Sequence, residues 1–273
     1  MEKKATVMQK SNEMRAKNMS HLEIVQIPLL VDNYGYLLHD SATGQTAVID
    51  PSEAQPILKE LSQRGWKLDY IFNTHHHFDH VGGNQELKAQ THCKIIGSHH
   101  DHQRIPGIDQ QVMEGNLIRL GHATAQVLEI PGHTIGHVAY WFQDSKAVFC
   151  GDTLFSLGCG RLFEGTPTQM WNSLRRLAYL PRDTRIYCGH EYTEANGRFA
   201  LSIDPHNATL QAYCAHVAIL RAEGRSTIPS TIEIEVAANP FLRAPHLIEA
   251  LGLGINATPE EAFAELRVRK DHF

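Results

Sequence analysis

The segment THHHFDHVGGN, residues 74–84, concentrates four histidines and one aspartate in seven consecutive positions. It follows LDYIFNT, which is typical of a buried strand, and it precedes GGNQELKAQ, which has a helical composition. The cluster is therefore predicted to lie on a strand-to-helix loop. Side chains on such a loop can converge from a rigid base, as ligands of a metal ion must.

The spacing within this cluster separates its members. In extended backbone, residues two apart lie on the same side, so His75 and His77 can bind one ion while His76 points the other way. Asp79 and His80 follow where the chain turns into a helix, and they can reach a second position in the same cavity. The H-x-H-x-D-H pattern thus predicts two pairs of ligands.

Other polar residues end predicted strands in the same way. They are His133 in PGHT, Asp152 in GDTLF and His190 in GHEYT, with Asp50 in IDPS as a partner behind the ligands. Without His76 and the supporting Asp50, the loop and these strand ends together supply five histidines and two aspartates. This is enough for two ions that share one carboxylate. Such a set leaves coordination positions for water, which favours a catalytic over a structural site.

The order of predicted elements favours a layered α/β sandwich. LEIVQIPLL, YGYLLHD and TAVIDP read as an antiparallel meander, and later strands alternate with helices such as PTQMWNSLRRLAYL. Beyond about residue 192 the segments NATLQAYCAHVAILRAEG, APHLIEALG and TPEEAFAELRVRK are helical in composition. We therefore predict a disordered extension over residues 1–20, a catalytic domain over 21–192 and a smaller helical domain over 193–273.

Composition narrows the class of protein. The chain has 273 residues, a formal net charge of −5 and no apolar run near the roughly 18 residues that a membrane span needs. Nucleic-acid binders usually carry a basic excess, so neither nucleic acid nor membrane is expected as a partner. The five cysteines are odd in number and form no CxxC motif. A reducing, cytoplasmic location is therefore expected.

A second histidine-rich stretch, SHHDH at residues 98–102, is interpreted differently. His99, His100 and His102 have no matching acidic or histidine ligands at neighbouring strand ends. We therefore expect them to be surface residues.

Several motifs together resemble one family. THHHFDHVGGN, PGHTIGH, GDTLFSLGCGRLFEGT, CGHEYT, NPFLR and RVRKDHF are similar to the metallo-β-lactamase superfamily and, within it, to glyoxalase II, the hydroxyacylglutathione hydrolases. The resemblance runs from about His21 to the end of the chain. It implies a four-layered αββα domain with two metal ions. One ion would be bound by His75, His77 and His133, the other by Asp79, His80 and His190, with Asp152 bridging.

The same resemblance implies which residues bind the substrate. Arg161, Phe163, Tyr192, Arg267 and Lys270 would contact the glutathione moiety, with phenylalanine and arginine at positions 163 and 161 where some relatives carry tyrosine and lysine. Arg267 and Lys270 are three residues apart and would share a helix face, which suits the two carboxylates of glutathione.

The expected reaction is hydrolysis of S-D-lactoylglutathione, or of other S-2-hydroxyacylglutathiones, to the acid and glutathione. A hydroxide bridging two divalent ions, zinc or else iron or manganese, would attack the thioester. Asp152 would hold the ions, and Asp79 would relay a proton besides binding metal. The resemblance implies the second step of methylglyoxal detoxification, and we expect a monomer.

Three alternatives stay open from the sequence. A persulfide dioxygenase with one iron shares the HxHxDH and GCGR motifs, but it differs after the last metal motif, where this chain has HEYT and a helical domain. A nuclease of the ribonuclease Z kind would need a basic surface. A binding module without catalysis would not need all seven ligands.

Overall fold

The first of two large sheets is built from the amino-terminal half of the chain. The computed structural model describes residues 22–273, so the predicted extension over residues 1–20 lies outside the described residues. Strands β1 (Glu23–Leu29), β2 (Asn33–Asp40) and β3 (Gln45–Ile49) form the expected antiparallel meander. Strands β4 (Tyr70–Phe72), β5 (Lys94–Ser98) and β6 (Gln110–Val112) then add in parallel, in sequence order.

The second sheet also has six strands. In chain order they are β7 (Leu117–Leu120), β8 (Ala123–Glu129), β9 (Val138–Phe142), β10 (Ala147–Gly151), β13 (Arg185–Cys188) and β14 (Ser230–Thr231). Strand β13 pairs in parallel with β10, and the other pairs are antiparallel. A two-strand hairpin, β11 (Leu154–Phe155) with β12 (Gly158–Cys159), follows β10.

Alternation along β2 shows how the layers are stacked. Tyr36 packs against Phe149 and Tyr187 of the second sheet, with ring centroids 5.5 and 5.2 Å apart. Leu37 points the other way and joins a separate core with Ile57 of the first helix. Each sheet therefore buries one face on the other sheet and one on helices. This arrangement confirms the predicted αββα layers.

The helices cover the outer faces of the sheets. They are α1 (Ala54–Arg64), α2 (Phe78–Val81), α3 (Asn84–Thr91), α4 (Pro167–Ala178), α5 (Thr193–Ile203), α6 (Ala208–Ala222), α7 (Ile232–Ala238) and α8 (Pro259–Asp271). Both α4 and α8 begin with a capping box and have a proline in the first turn. In each, the side chain of the threonine before the helix accepts a hydrogen bond from the backbone N–H of the third helical residue. Trp171 of α4 packs on Phe263 of α8, with ring centroids 6.1 Å apart. This contact places α8 beside the second sheet.

Two segments after residue 192 differ from their sequence patterns. APHLIEALG forms only a short 3-10 helix, Ala244–His246, followed by turns, because Pro245 and the glycines leave too few residues for a regular helix. TIEIEVAA alternates like a strand, yet it forms α7, whose first turn is capped by the Thr231 side chain. The division at residue 192 stays a prediction. Within residues 22–273, no helix combines the length and apolarity required to traverse a bilayer.

Candidate metal centre

The site gathers where five strands end. Asp50 follows β3, His75 follows β4, His133 follows β8, Asp152 follows β10 and His190 follows β13. The ends of these strands, which come from both sheets, meet at one edge of the sandwich, and the backbone turns away after each strand. Polar side chains are thereby placed on rigid supports around one point, although the residues lie up to 140 positions apart in sequence.

Three imidazoles form the first half of the site. Nδ1 of His77 lies 3.2 Å from Nε2 of His75 and 3.0 Å from Nε2 of His133. Nitrogen ligands about 2.0 Å from a tetrahedral ion are about 3.3 Å apart. The three nitrogens are therefore spaced like ligands of one ion.

The second half contains Asp79, His80 and His190, whose ligand atoms lie within 4.8 Å of one another. Oδ2 of Asp79 is 3.5 Å from Nε2 of His80 and 3.4 Å from Nε2 of His190. Asp152 lies between the halves: its Oδ2 is 3.5 Å from Nε2 of His133 and 3.2 Å from Nε2 of His190. Its Oδ1 is 3.4 Å from Nε2 of His80. This is the position that a bridging carboxylate needs.

The outer nitrogens of these histidines are held by fixed acceptors. Nδ1 of His80 donates to Oδ2 of Asp50 at 3.0 Å, Nδ1 of His190 to Oδ1 of Asp32 at 2.9 Å, and Nδ1 of His133 to the carbonyl oxygen of Arg161 at 2.8 Å. A proton on Nδ1 leaves Nε2 as the free lone pair toward the site. Asp50 has the expected supporting role, whereas Asp32 was missed by the sequence analysis.

Electrostatics differ between the two halves. Burial lowers the pKa of His77 to about 4, so its ring is neutral. Burial also disfavours the charged rings of His80 and His190, but the Asp152 carboxylate outweighs it and raises the pKa of His80 to about 10 and of His190 to about 11. Burial opposes ionisation of Asp152 too, yet the His190 and His80 rings hold the pKa of its carboxyl well below its usual range. This half of the site requires positive charge, which a divalent ion can supply.

Two buried polar atoms in the site indicate that its residues fit metal ions. Nε2 of His80 and Oδ1 of Asp152 are buried and have no hydrogen-bond partner in the part of the chain that the structure describes. Unpaired polar atoms inside a protein are costly, and these two face each other within the ligand set. Histidine nitrogens and carboxylate oxygens suit zinc, iron and manganese. The donor set therefore fits divalent ions.

The remaining histidines of the two clusters lie away from the ligand sets. Nδ1 of His76 is 3.0 Å from Oδ2 of Asp101, a fully buried carboxylate in the middle of SHHDH. His99 and His100 are exposed and His102 is partly exposed, in keeping with the surface interpretation. The supporting role of Asp101 was not expected.

A cavity of about 530 Å³ opens onto the metal centre, within the size range of small-molecule sites. Five predicted ligands and all five predicted substrate contacts line it. They are His77, Asp79, His133, Asp152 and His190, together with Arg161, Phe163, Tyr192, Arg267 and Lys270. His75 and His80 are buried behind this lining. The structure thus joins the two predicted groups of residues in one cavity.

Two aromatic side chains flank the metal centre at the cavity mouth. The Tyr192 ring stacks on His190, with centroids 4.7 Å apart and an interplanar angle of 4°. The Phe163 ring lies edge-on to His77 and His133, at 5.6 and 5.1 Å. Phe163 is 63% exposed and Tyr192 36% exposed, so both retain surface for a ligand.

The cationic wall of the cavity comes mainly from α8. Arg267 is buried, and it donates from Nη1 to the carbonyl oxygen of Cys159 and from Nη2 to Oδ1 of Asp271, both at 2.9 Å. Lys270 and Arg161 are more accessible, and within residues 22–273 neither side chain forms a hydrogen bond. Arg267 therefore mainly anchors α8 to the β12 turn, and the accessible positive charge lies on the other two.

Comparison with known proteins agrees with this architecture. The family model described as the metallo-beta-lactamase superfamily matches residues 31–190, and the hydroxyacylglutathione hydrolase C-terminus model matches residues 191–273. Hydroxyacylglutathione hydrolase of Methylococcus capsulatus is 55% identical over 92% of this chain and 99% of its own length. The same-named protein of Rhodospirillum rubrum is 55% identical over 93% of this chain and all of its own length.

Solved structures share the fold at lower identity. ETHE1 from Myxococcus xanthus superposes with a TM-score of 0.63 at 26% identity, over 91% of this chain and 98% of its own. The BLEG-1 B3 metallo-beta-lactamase has a TM-score of 0.63 at 22% identity, over 81% and 99%. The relatives at 55% identity match both the segment of the superfamily model and the segment of the C-terminal model, whereas these solved structures contribute evidence for the fold alone. The chain therefore belongs to the hydroxyacylglutathione hydrolase family, within the metallo-beta-lactamase superfamily.

Proposed function

We propose that the protein is a thioester hydrolase that cleaves S-D-lactoylglutathione to D-lactate and glutathione. One observation carries this proposal: a single cavity is lined both by the histidine and aspartate cluster and by the accessible cations Arg161 and Lys270. A thioester carbonyl needs the first and the carboxylates of a glutathione moiety need the second. The proposal extends to other S-2-hydroxyacylglutathiones.

The metal ions would be held by the seven predicted ligands. His75, His77 and His133 would bind one ion, and Asp79, His80 and His190 the other, with Asp152 shared. Two divalent ions bound there would lower the pKa of a coordinated water to about 7 and polarise the thioester carbonyl. Zinc is the first choice, with iron and manganese as alternatives that the same donor atoms would accept.

The chain itself positions and screens the reacting groups. The Asp79 carboxylate accepts a hydrogen bond from Nδ2 of Asn33 at 3.0 Å, and the imidazoles of His190 and His80 outweigh burial and hold its pKa below the usual range. Asp79 therefore stays ionised. Both roles proposed for it, metal ligand and proton acceptor, require the carboxylate form. Phe163 and Tyr192 would cover the acyl group from the two sides of the cavity mouth and exclude bulk water.

The glutathione moiety would lie along α8. Lys270 and Arg161 would bind its carboxylates, while Arg267 fixes the helix against the β12 turn through the carbonyl oxygen of Cys159. Binding energy from this remote part of the substrate would hold the thioester carbon over the metal centre.

We propose a monomeric, cytoplasmic enzyme that acts in the second step of methylglyoxal detoxification. Residues 21–192 would form the catalytic domain and residues 193–273 the substrate-binding helical domain, preceded by a disordered extension over residues 1–20.

Purified protein with quantified metal tests the proposal. Loss of thioester absorbance from S-D-lactoylglutathione, with one D-lactate and one thiol formed per turnover, is the expected result. S-D-lactoyl-coenzyme A is the control thioester, since it lacks the glutathione moiety, and it should react far more slowly. Oxygen consumption with glutathione persulfide and no thioester cleavage would instead support the one-iron dioxygenase alternative.

A further inference from the structure

The cationic wall of the cavity also contains one acidic side chain. Asp271 lines the cavity beside Arg161, Arg267 and Lys270. Among the cavity-lining residues of the described chain, Asp271 supplies the only side-chain carboxylate outside the metal cluster. A wall that bound only carboxylates would gain nothing from an aspartate, because like charges repel. The presence of Asp271 therefore calls for an explanation.

The two oxygens of Asp271 differ in their contacts. Oδ1 accepts a hydrogen bond from Nη2 of Arg267 at 2.9 Å and lies 3.8 Å from Nε of Arg161. Oδ2 accepts no hydrogen bond within residues 22–273. The Asp271 side chain is 40% exposed, whereas that of Arg267 is 6% exposed. Oδ1 is therefore bound within the protein, whereas Oδ2 is available to a ligand.

The neighbouring cations are also available in part. Lys270 forms no ion pair among the described residues, and its ammonium lies 5.4 Å from the ring centroids of Phe199 and Phe273. Burial, together with the charges of Arg267 and Arg198, lowers the pKa of Lys270. Arg161 has a 67% exposed side chain. The wall thus offers two cations and one carboxylate oxygen.

The charges of a glutathione moiety match this set. It carries two carboxylates and one α-ammonium, which belongs to the γ-glutamyl residue beside one of the carboxylates. Recognition of such an amino-acid head group requires both signs of charge within a few ångströms. Two accessible cations correspond to the two carboxylates, and the free oxygen of Asp271 corresponds to the ammonium.

We infer that Asp271 binds the α-ammonium of the γ-glutamyl residue and makes the site selective for glutathione derivatives whose amine is free. This inference rests on the proposed function and names a recognition element within it. A charge-assisted hydrogen bond from the ammonium to Oδ2 would form only with an unacylated amine. Thioesters of N-acylated glutathione would keep both carboxylates and still bind weakly.

A structural role for Asp271 is the competing explanation. Asp271 is four residues after Arg267, and such pairs stabilise helices without contacting any ligand. The same helix provides a matched control, because Glu265 pairs with Arg269 at 2.7 Å with the same spacing and does not line the cavity. Removing the Glu265 charge therefore measures the effect of losing a helix ion pair alone.

The experiment is calorimetric titration of the metal-loaded protein with glutathione and with N-acetylglutathione. The wild type should bind glutathione about tenfold more tightly, the effect of one charge-assisted hydrogen bond at a partly exposed site. Asp271→Asn should bind both compounds equally, at the wild-type affinity for the acetylated one, and Glu265→Gln should keep the tenfold preference. Asp271→Asn keeps an oxygen for Arg267, so the helix anchor is preserved.

The outcomes separate the inference from the proposed function. Hydrolysis of S-D-lactoylglutathione together with equal affinities of the wild type for the two compounds would overturn the inference alone. A preference that persists in Asp271→Asn would also overturn it, since another group would then bind the amine. Absence of both thioester hydrolysis and glutathione binding in the metal-loaded wild type would overturn the two together.

Discussion

Nδ1 of His76 lies 3.0 Å from Oδ2 of Asp101, and this contact turns the His76 ring away from the metal centre. The next residue, His77, points into the centre, where its Nδ1 is 3.0 Å from Nε2 of His133. Adjacent histidines in the loop after β4 therefore point in opposite directions. Asp101 is also paired with Arg104 at 2.6 Å, so this carboxylate keeps a partner when His76 is removed.

The first prediction compares these two histidines. His77→Ala should lose about one metal equivalent per chain and at least about a hundredfold in kcat, because one ion loses a ligand. His76→Ala should keep its metal and most of its activity, with a stability loss of about 1–3 kcal/mol from the buried Asp101. Metal analysis, steady-state kinetics and urea unfolding measure these effects. Equal losses of metal in the two variants would contradict the assignment.

The second prediction concerns the shared carboxylate. Asp152 is within 3.5 Å of nitrogens from both halves of the site, so Asp152→Ala should reduce the affinity for both ions and abolish measurable turnover. Asp183→Ala is the control, since it removes an exposed carboxylate paired with Lys146. Metal content after dialysis against a weak chelator, compared with turnover, tests this. Wild-type turnover in Asp152→Ala would rule out a bridging role.

The sequence could predict the parts of the site that depend on local geometry. The alternation expected for the segment after β4 separates His76 from its neighbours, and capping patterns define the start of α8. Asp32 could not be found in this way, because its partner His190 is 158 residues away and only the folded chain brings them together. Asp101 is likewise inconspicuous within a histidine-rich stretch. The approach of α8 to the metal centre followed from the family resemblance, not from any local pattern.

The third prediction concerns pH and a carboxyl distant from the metal centre. Glu235 of α7 is fully buried and accepts hydrogen bonds from the Leu157 N–H at 2.8 Å and from Nδ2 of Asn239 at 2.9 Å. Burial raises its pKa, although these donors and Ser230 oppose the shift. The native state therefore binds this proton more tightly than the unfolded state, and its contribution to stability falls as pH rises from the ordinary glutamate pKa to the raised one.

Glu235→Gln removes this titration while keeping the shape and one acceptor oxygen. The unfolding free energy of the wild type relative to Glu235→Gln should decrease as the pH rises above the ordinary glutamate pKa, by about 1.4 kcal/mol for each unit by which the pKa is raised. Urea unfolding of both proteins at several pH values measures this difference, in which the contributions of all other groups cancel. A difference that stays constant or grows with pH would show that the carboxyl is not destabilised by burial.

The fourth prediction uses a glycine that the metal centre requires. Gly189 lies between β13 and His190, and a Cβ there would be 2.3 Å from Oδ1 of Asp152 and 2.6 Å from Cε1 of His80. Both contacts are shorter than any that real Cβ atoms make, so Gly189→Ala must displace two predicted ligands. We expect loss of metal from the half of the site that contains His80, and a decrease in kcat of about a hundredfold.

Gly254→Ala is the matched control for this change, because a Cβ at Gly254 would meet no atom within 4 Å. Its unfolding free energy should stay within about 1 kcal/mol of the wild type, with unchanged metal content. Metal analysis of both variants, after loading under the same conditions, separates a general effect of the added methyl group from a specific one. A full metal complement in Gly189→Ala would mean that Asp152 and His80 can move apart without loss of binding, and the ligand geometry proposed for that half would be wrong.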